Sequence, residues 1–312
     1  MAAALLHRVL YATALLLAVS MAGFALLRLM PGDAGEVLLI HQMAGELPGP
    51  EALARFKREH GLDDPLPLQY LRWLGAVLGG DLGRSFQTGD PVAQEVGMRL
   101  VNSVLLGAAA MALACAVAFP AGIAAALWRG GPVDRAVSAL AVLGMAVPNF
   151  WYALLAVLLF SLTLGWLPSS GYGTWAHVVL PALVVGTSLS GVIARFVRST
   201  CAEELPRAYV RTGRAKGVGE VPLMLRHVLP NTMVPVLALL GLQAARVFDG
   251  IVVVETVFAW PGLGRLLVDA ILSRDFPVIQ GCLLVLGVVY AGLHLAVDVA
   301  AMLVDPRIRG AV

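Results

Sequence analysis

The chain has 312 residues, of which 59% are apolar and only 13% charged, with a formal net charge of +2 and a mean hydropathy of +0.83. A soluble domain carries about 25% charged residues, so this surface could not be solvated by water alone. That excludes a soluble enzyme and a disordered chain, and the near-zero charge balance excludes a nucleic-acid binder. The three cysteines, Cys115, Cys201 and Cys282, lie far apart in or beside apolar segments. They read as small packed residues rather than as a disulfide framework or a zinc cluster.

A membrane helix needs about 20 apolar residues. The first candidate runs from Val9 to Leu29, too long for the apolar part of a signal peptide, with Arg28 reaching to the interface. The second lies between Arg99 and Arg129, where no charged residue occurs. The charge-free stretch from Ala136 to Ala176 is too long for one span, and Gly165-Trp-Leu-Pro-Ser-Ser-Gly-Tyr-Gly173 marks a turn in it. It divides into Ala136 to Leu164 and Ala176 to Ala194. A fifth span is expected from about Asn231 to Val257 and a sixth from about Ile279 to Val304, which makes six. The fold class is thus an all-α integral membrane protein with six transmembrane helices. The expected organisation is a transmembrane helix in residues 1–30, an extracytoplasmic segment in 31–95, a five-helix core in 96–305 and a tail in 306–312.

Orientation follows from Lys and Arg in the short loops. With the N-terminus inside, the inner segments hold 12 of the 22 basic residues, and the two short outer loops hold only Arg265 and Arg274. The long segment from Pro31 to Met98 holds five, but carries ten Asp and Glu. Both termini are therefore expected to be cytoplasmic, as an even span count requires. Within the outer segment, Pro50 to Gly61 reads as a short helix with Leu53 and Phe56 on one face. Leu71, Leu74 and Leu78 repeat the pattern in a second. Pro120, Pro148, Pro181 and Pro235 fall within spans, where each removes a backbone donor. Such prolines suit a moving pathway and are also common in static membrane helices.

Several chemistries are excluded. Lys57 precedes Arg58 and Lys216 precedes Gly217, so neither of the two lysines ends a phosphate-binding P-loop. No His-Glu-x-x-His pattern exists, and Gly186-Thr-Ser-Leu-Ser-Gly191 is not a nucleophile turn. No catalytic residue, metal site or resident cofactor is expected, and energy for any work is expected to come from elsewhere.

The segment from Cys201 to Asn231, a loop of about residues 201–230, stands apart. Seven basic residues fall between Arg195 and Arg226, and Arg207, Arg211 and Arg214 at i, i+4 and i+7 share one helical face. Charge alone would be satisfied by an ordinary cytoplasmic loop. Its wording goes further. Tyr209-Val-Arg-Thr-Gly-Arg-Ala-Lys-Gly217, followed by Arg226-His-Val-Leu-Pro-Asn231, resembles the coupling loop of ATP-binding-cassette (ABC) importer permeases of the dipeptide, oligopeptide and nickel family. Pro31-Gly-Asp33, Gln69-Tyr-Leu-Arg-Trp-Leu74, Gly80-Asp-Leu-Gly83, Pro148-Asn-Phe-Trp151 and Gly165-Trp-Leu-Pro168 agree in order. So do Val254-Glu-Thr-Val-Phe258, Trp260-Pro-Gly-Leu-Gly264, Arg274-Asp-Phe-Pro277 and Asp305-Pro-Arg-Ile-Arg309.

The resemblance covers nearly the whole chain and implies a type I importer permease in a prokaryotic plasma membrane. It would pair with a second, related permease and two ATPase subunits that hold ATP and Mg. An extracytoplasmic solute-binding protein would deliver a short peptide or, alternatively, nickel. In that setting Arg207, Tyr209, Arg211, Arg214, Ala215, Lys216 and Gly217 would couple to an ATPase, with Gly217 turning the chain. The family commonly has alanine where Gly213 stands, so the short helix is expected to be softened by about 1 kcal/mol.

Charges inside the spans form a second candidate set. Arg246 and Asp249 are spaced i, i+3 and His294 and Asp298 i, i+4, so each couple can pair on one face. Glu255 sits near the outer end of the fifth span. These residues either line the path or join this chain to its partner permease. For His294 and Asp298 the joining role is the expected one. A self-sufficient secondary transporter would call for inverted repeats, and an intramembrane protease built on His294 for a positioned serine. Neither feature is found.

Overall fold

A computed structural model describes residues 2–29, 49–59 and 62–304. The motifs Pro31 to Asp33 and Asp305 to Arg309, the stop at Gly61 and the tail 306–312 lie outside the described residues, as do the side chains of Arg28 and Asp298. The described chain is helical, with one isolated antiparallel bridge, Arg84 with Pro91. The helices are α1 (Ala2–Leu29), α2 (Pro50–Glu59), α3 (Leu66–Leu78), α4 (Val92–Leu127), α5 (Pro132–Ala146), α6 (Asn149–Ala156, with a π-helical continuation Val157–Thr163) and α7 (Ala176–Glu204). They continue with α8 (Ala208–Ala215), α9 (Glu220–Leu223, followed by a π-helical turn Met224–Val228), α10 (Leu229–Val257), α11 (Leu263–Ser273) and α12 (Phe276–Val304). Helices dominate because hydrocarbon offers no partner for a backbone N–H or C=O, and a helix satisfies these groups internally.

Among the described residues five helices are long and apolar enough to cross a membrane, and α5 with α6 makes a sixth if the bent pair is one span. The third expected span, Ala136 to Leu164, is therefore not one continuous helix. It turns through 103° between Ala146 and Asn149. The cause is Pro148. Its ring pushes Val147 out of the helical region to φ −82°, ψ 124°, and Pro148 itself takes ψ 138°. Pro120, Pro181 and Pro235 lie inside helices that continue through them. Helix α11 was not foreseen from the sequence.

The chain divides into two compact units. One holds Leu6–Val101 and Leu266–Ala291. In it α3 meets α1 through a Ser20–Tyr70 hydroxyl bond of 2.8 Å and an edge-to-face contact between the Phe24 and Tyr70 rings, centroids 5.5 Å apart. Ser85 donates to the buried carboxylate of Asp275 at 2.5 Å, which ties the loop before α4 to the start of α12.

Among the described residues the other unit holds 2–5, Asn102–Arg265 and 292–304. Here α7 packs along α5, α6 and α10 around a core that includes Leu106, Leu180, Ile193, Val197 and Ile251. Small residues permit the approach. A Cβ on Gly191 would lie 2.7 Å from the Ala141 carbonyl oxygen, and one on Gly122 2.6 Å from that of Ala194. Close backbone contact of this kind substitutes for the hydrophobic force that lipid removes.

Candidate functional site

The elbow between α7 and α10 is built from the inside out. Val210, Leu223, Met224 and Val228 are fully buried and belong to the same apolar cluster as Val197 and Cys201 of α7 and Val236 of α10. Helix α8 thus turns Val210 inward and leaves Tyr209, Arg211, Arg214 and Ala215 exposed. Its end is a Schellman turn. Val218 N–H donates to the Gly213 carbonyl at 3.1 Å and Gly217 N–H to that of Arg214 at 2.9 Å. Gly217 sits at φ +81°, the left-handed region that glycine enters without strain. Gly213 has a packing role besides its flexibility. A Cβ there would lie 2.6 Å from Leu223 Cδ1, so glycine lets α8 and α9 close on each other.

Two carboxylates organise the basic face. Glu204, at the end of α7, receives the Arg207 guanidinium at 3.0 Å and the Tyr209 hydroxyl at 2.8 Å. Burial and the bond to Glu204 push the Tyr209 phenol upward, so it remains a donor. Arg214 donates from Nε and Nη2 to Glu220 at 2.6 and 3.0 Å across the turn, and this bond raises its guanidinium further above the usual range. Arg211 and Lys216 are exposed and form no ion pair among the described residues. Of the four expected cations of the elbow, two are therefore engaged within the chain and two are presented outward. Glu204, Glu220, Val210 and Leu223 were not singled out from the sequence. Two apolar residues in a basic loop were the available signal.

The described ionisable residues of the spans sit in different settings. Arg246 and Asp249 are both exposed, and no ion pair joins them. Their i, i+3 spacing permits a pair but does not impose one when each head is open to its surroundings. His294 is half-buried. Glu255 is fully buried inside the chain. Its Oε1 accepts from Ser103 at 2.5 Å and its Oε2 from the Arg265 backbone N–H at 3.0 Å, while Ser103 accepts from Leu263 N–H at 2.8 Å. Gly262 lies directly against this carboxylate. The neighbouring Trp260 indole donates to the Asn102 carbonyl at 3.1 Å. Glu255 thus pins the α10–α11 turn to α4. The string from Val254 to Gly264 is a structural lock. Among the described residues no group of three or more His, Cys, Asp or Glu could hold a metal.

A broken third span and a short amphipathic elbow between two long membrane helices define a multi-pass membrane component. The fold resembles that of a chain of the MetNI methionine ABC transporter in an inward-facing form, with a TM-score of 0.58 and 16% identity over 67% of this chain and 96% of that one. Residues 118–310 match the family described as binding-protein-dependent transport system inner membrane component, and residues 1–107 match the family describing its N-terminal part. The chain belongs to this family. Relatives include a permease protein of Brucella abortus named for a peptide transport system, 41% identical over 317 residues and 99% of both chains. Another is the glutathione transport system permease protein GsiC of Salmonella paratyphi A, 40% identical over 294 residues and 94% of both chains.

Proposed function

We propose that this chain is the permease subunit of an ABC importer for short peptides in a prokaryotic plasma membrane, forming half of the path. Its partners in this reading are a second permease, two ATPases that bind ATP and Mg, and an extracytoplasmic solute-binding protein. The observation that carries the reading is the elbow. A short helix is seated on buried apolar residues, ended by a glycine turn, and presents Arg211, Ala215 and Lys216 away from the chain. Such a shape suits insertion into a groove on an ATPase, with Arg211 and Lys216 offered to its acidic groups. Peptide cargo is preferred over nickel because the relatives are named for peptide and for glutathione transport, and glutathione is itself a tripeptide.

The test is Gly217→Val. No described residue would touch the added Cβ, but φ +81° disfavours a β-branched residue. Membrane insertion should be retained while transport and ATPase coupling are lost. Full uptake by this variant would overturn the assignment.

A further inference from the structure

We infer that the groove between α5 and α7 at their cytoplasmic ends is a binding site for one anionic phospholipid of the inner leaflet. The groove has a volume of about 490 Å³. Its lining changes character along both helices in the same sense. On α5 it runs from Ser138 to Val142 to Met145, and on α7 from Arg198 to Arg195 to Val192, with Ser199 beside Arg198 and Phe196 an apolar side chain between the two arginines. At about 1.5 Å of rise per residue, the polar set lies within roughly 9 to 14 Å of the cytoplasmic helix ends and the apolar set roughly 15 to 20 Å from them. That gradient matches a phosphate headgroup at the interface with an acyl chain above it.

The charge balance asks for an anion. Arg198 donates from Nε and Nη2 to Asp134 at 2.6 and 2.7 Å. Asp134 also accepts from Gly130 N–H at 2.8 Å. Ser138 bonds to the same carboxylate, so its acceptor sites are occupied within the chain, and Arg198 keeps three N–H donors free of it. Arg195 forms no ion pair among the described residues. Arg195 is exposed just beyond the apolar run that ends at Ala194, and a guanidinium does not deprotonate, so at the interface it offers a permanent cation to water or to an anion. Basic pockets between membrane helices on the cytoplasmic side bind lipid phosphate. The site is independent of the cargo.

The assembled complex is solubilised, washed with detergent and analysed by mass spectrometry for lipid retained per chain, after reconstitution with phosphatidylcholine alone or mixed with phosphatidylglycerol. The wild type should retain phosphatidylglycerol selectively. Arg195→Gln should lower retention about five-fold, the equivalent of about 1 kcal/mol for one cation at the surface. Val142→Trp, which fills the apolar end and leaves every charge in place, should also lower it. Arg135→Gln, an exposed cation outside the groove, should not. Equal retention of both lipids by the wild type would overturn the proposal, and so would displacement by inorganic phosphate alone. Cross-linking of Ser138→Cys to a second permease chain would also overturn it, because the groove would then be a subunit contact.

Discussion

Replacing Gly262 by alanine tests whether Glu255 is a structural lock. A Cβ at this position would fall inside the envelope of both Glu255 carboxylate oxygens, so one of the two groups must move. The glycine backbone is held by neighbours on both sides: Trp260 N–H bonds to the Glu255 carbonyl at 2.8 Å, and Leu263 N–H to Ser103. The carboxylate therefore gives way and loses the bonds from Ser103 and Arg265 N–H. A hydrogen bond to a charged group contributes about 1.5–3 kcal/mol, so Gly262→Ala should cost about 3–6 kcal/mol. Thermal unfolding of the chain in detergent measures this. Glu255→Ala removes the obstacle, so the double variant E255A/G262A should be no less stable than E255A alone, a non-additivity expected of groups in contact. A G262A variant as stable as the wild type, or a double variant showing the sum of both losses, would refute the lock.

Asp134→Asn should destabilise by about 3 kcal/mol in the same assay, because it leaves the Arg198 guanidinium without its buried partner. Glu220→Gln should change stability by less than about 1 kcal/mol, since its pair with Arg214 is half-exposed on both sides. It frees Arg214, so affinity for the ATPase subunit should become more salt-dependent, read by co-purification at two ionic strengths. Leu223→Ala should cost about 2–5 kcal/mol as a core cavity. In the surviving protein it should lower transport per ATP hydrolysed more than ATP hydrolysis itself.

The spans were legible because a charge-free run of sufficient length has few alternatives to a membrane helix. The break at Val147–Pro148 was only half legible. Pro148 resembles Pro120, Pro181 and Pro235 in sequence, yet it alone turns the chain. Burial does not separate them either, since Pro181 is buried while Pro120 and Pro235 are exposed inside helices that run on through them. Gly217 could be read as a turn because a glycine after a short helical run has a local meaning. Gly213 and Gly262 could not, since their reasons are Leu223 and Glu255, ten and seven residues away. Glu255 shows the same limit from the other side. A carboxylate in an apolar run suggests a path or a contact, and only the fold brings Ser103 to it from 152 residues away.

The elbow's construction bears on how force could pass through it. A handle attached by a flexible linker would absorb a push by bending. Here Val210 and Leu223 belong to the cluster that also contains Val197 of α7 and Val236 of α10, so the elbow and both flanking helices share one packed core. Glu204 adds a second tie, holding Arg207 and Tyr209 to the last turn of α7. Packed interiors transmit displacement because they have little free volume to give up. A rigid displacement of α8 would therefore carry α7 and α10 with it, and α7 in turn lies along α5, below the break at Pro148. In the proposed importer the outward-facing cations select the partner, while the buried apolar residues carry the stroke. This is why substitutions at Arg211 and at Leu223 should fail differently, the first in assembly and the second in coupling.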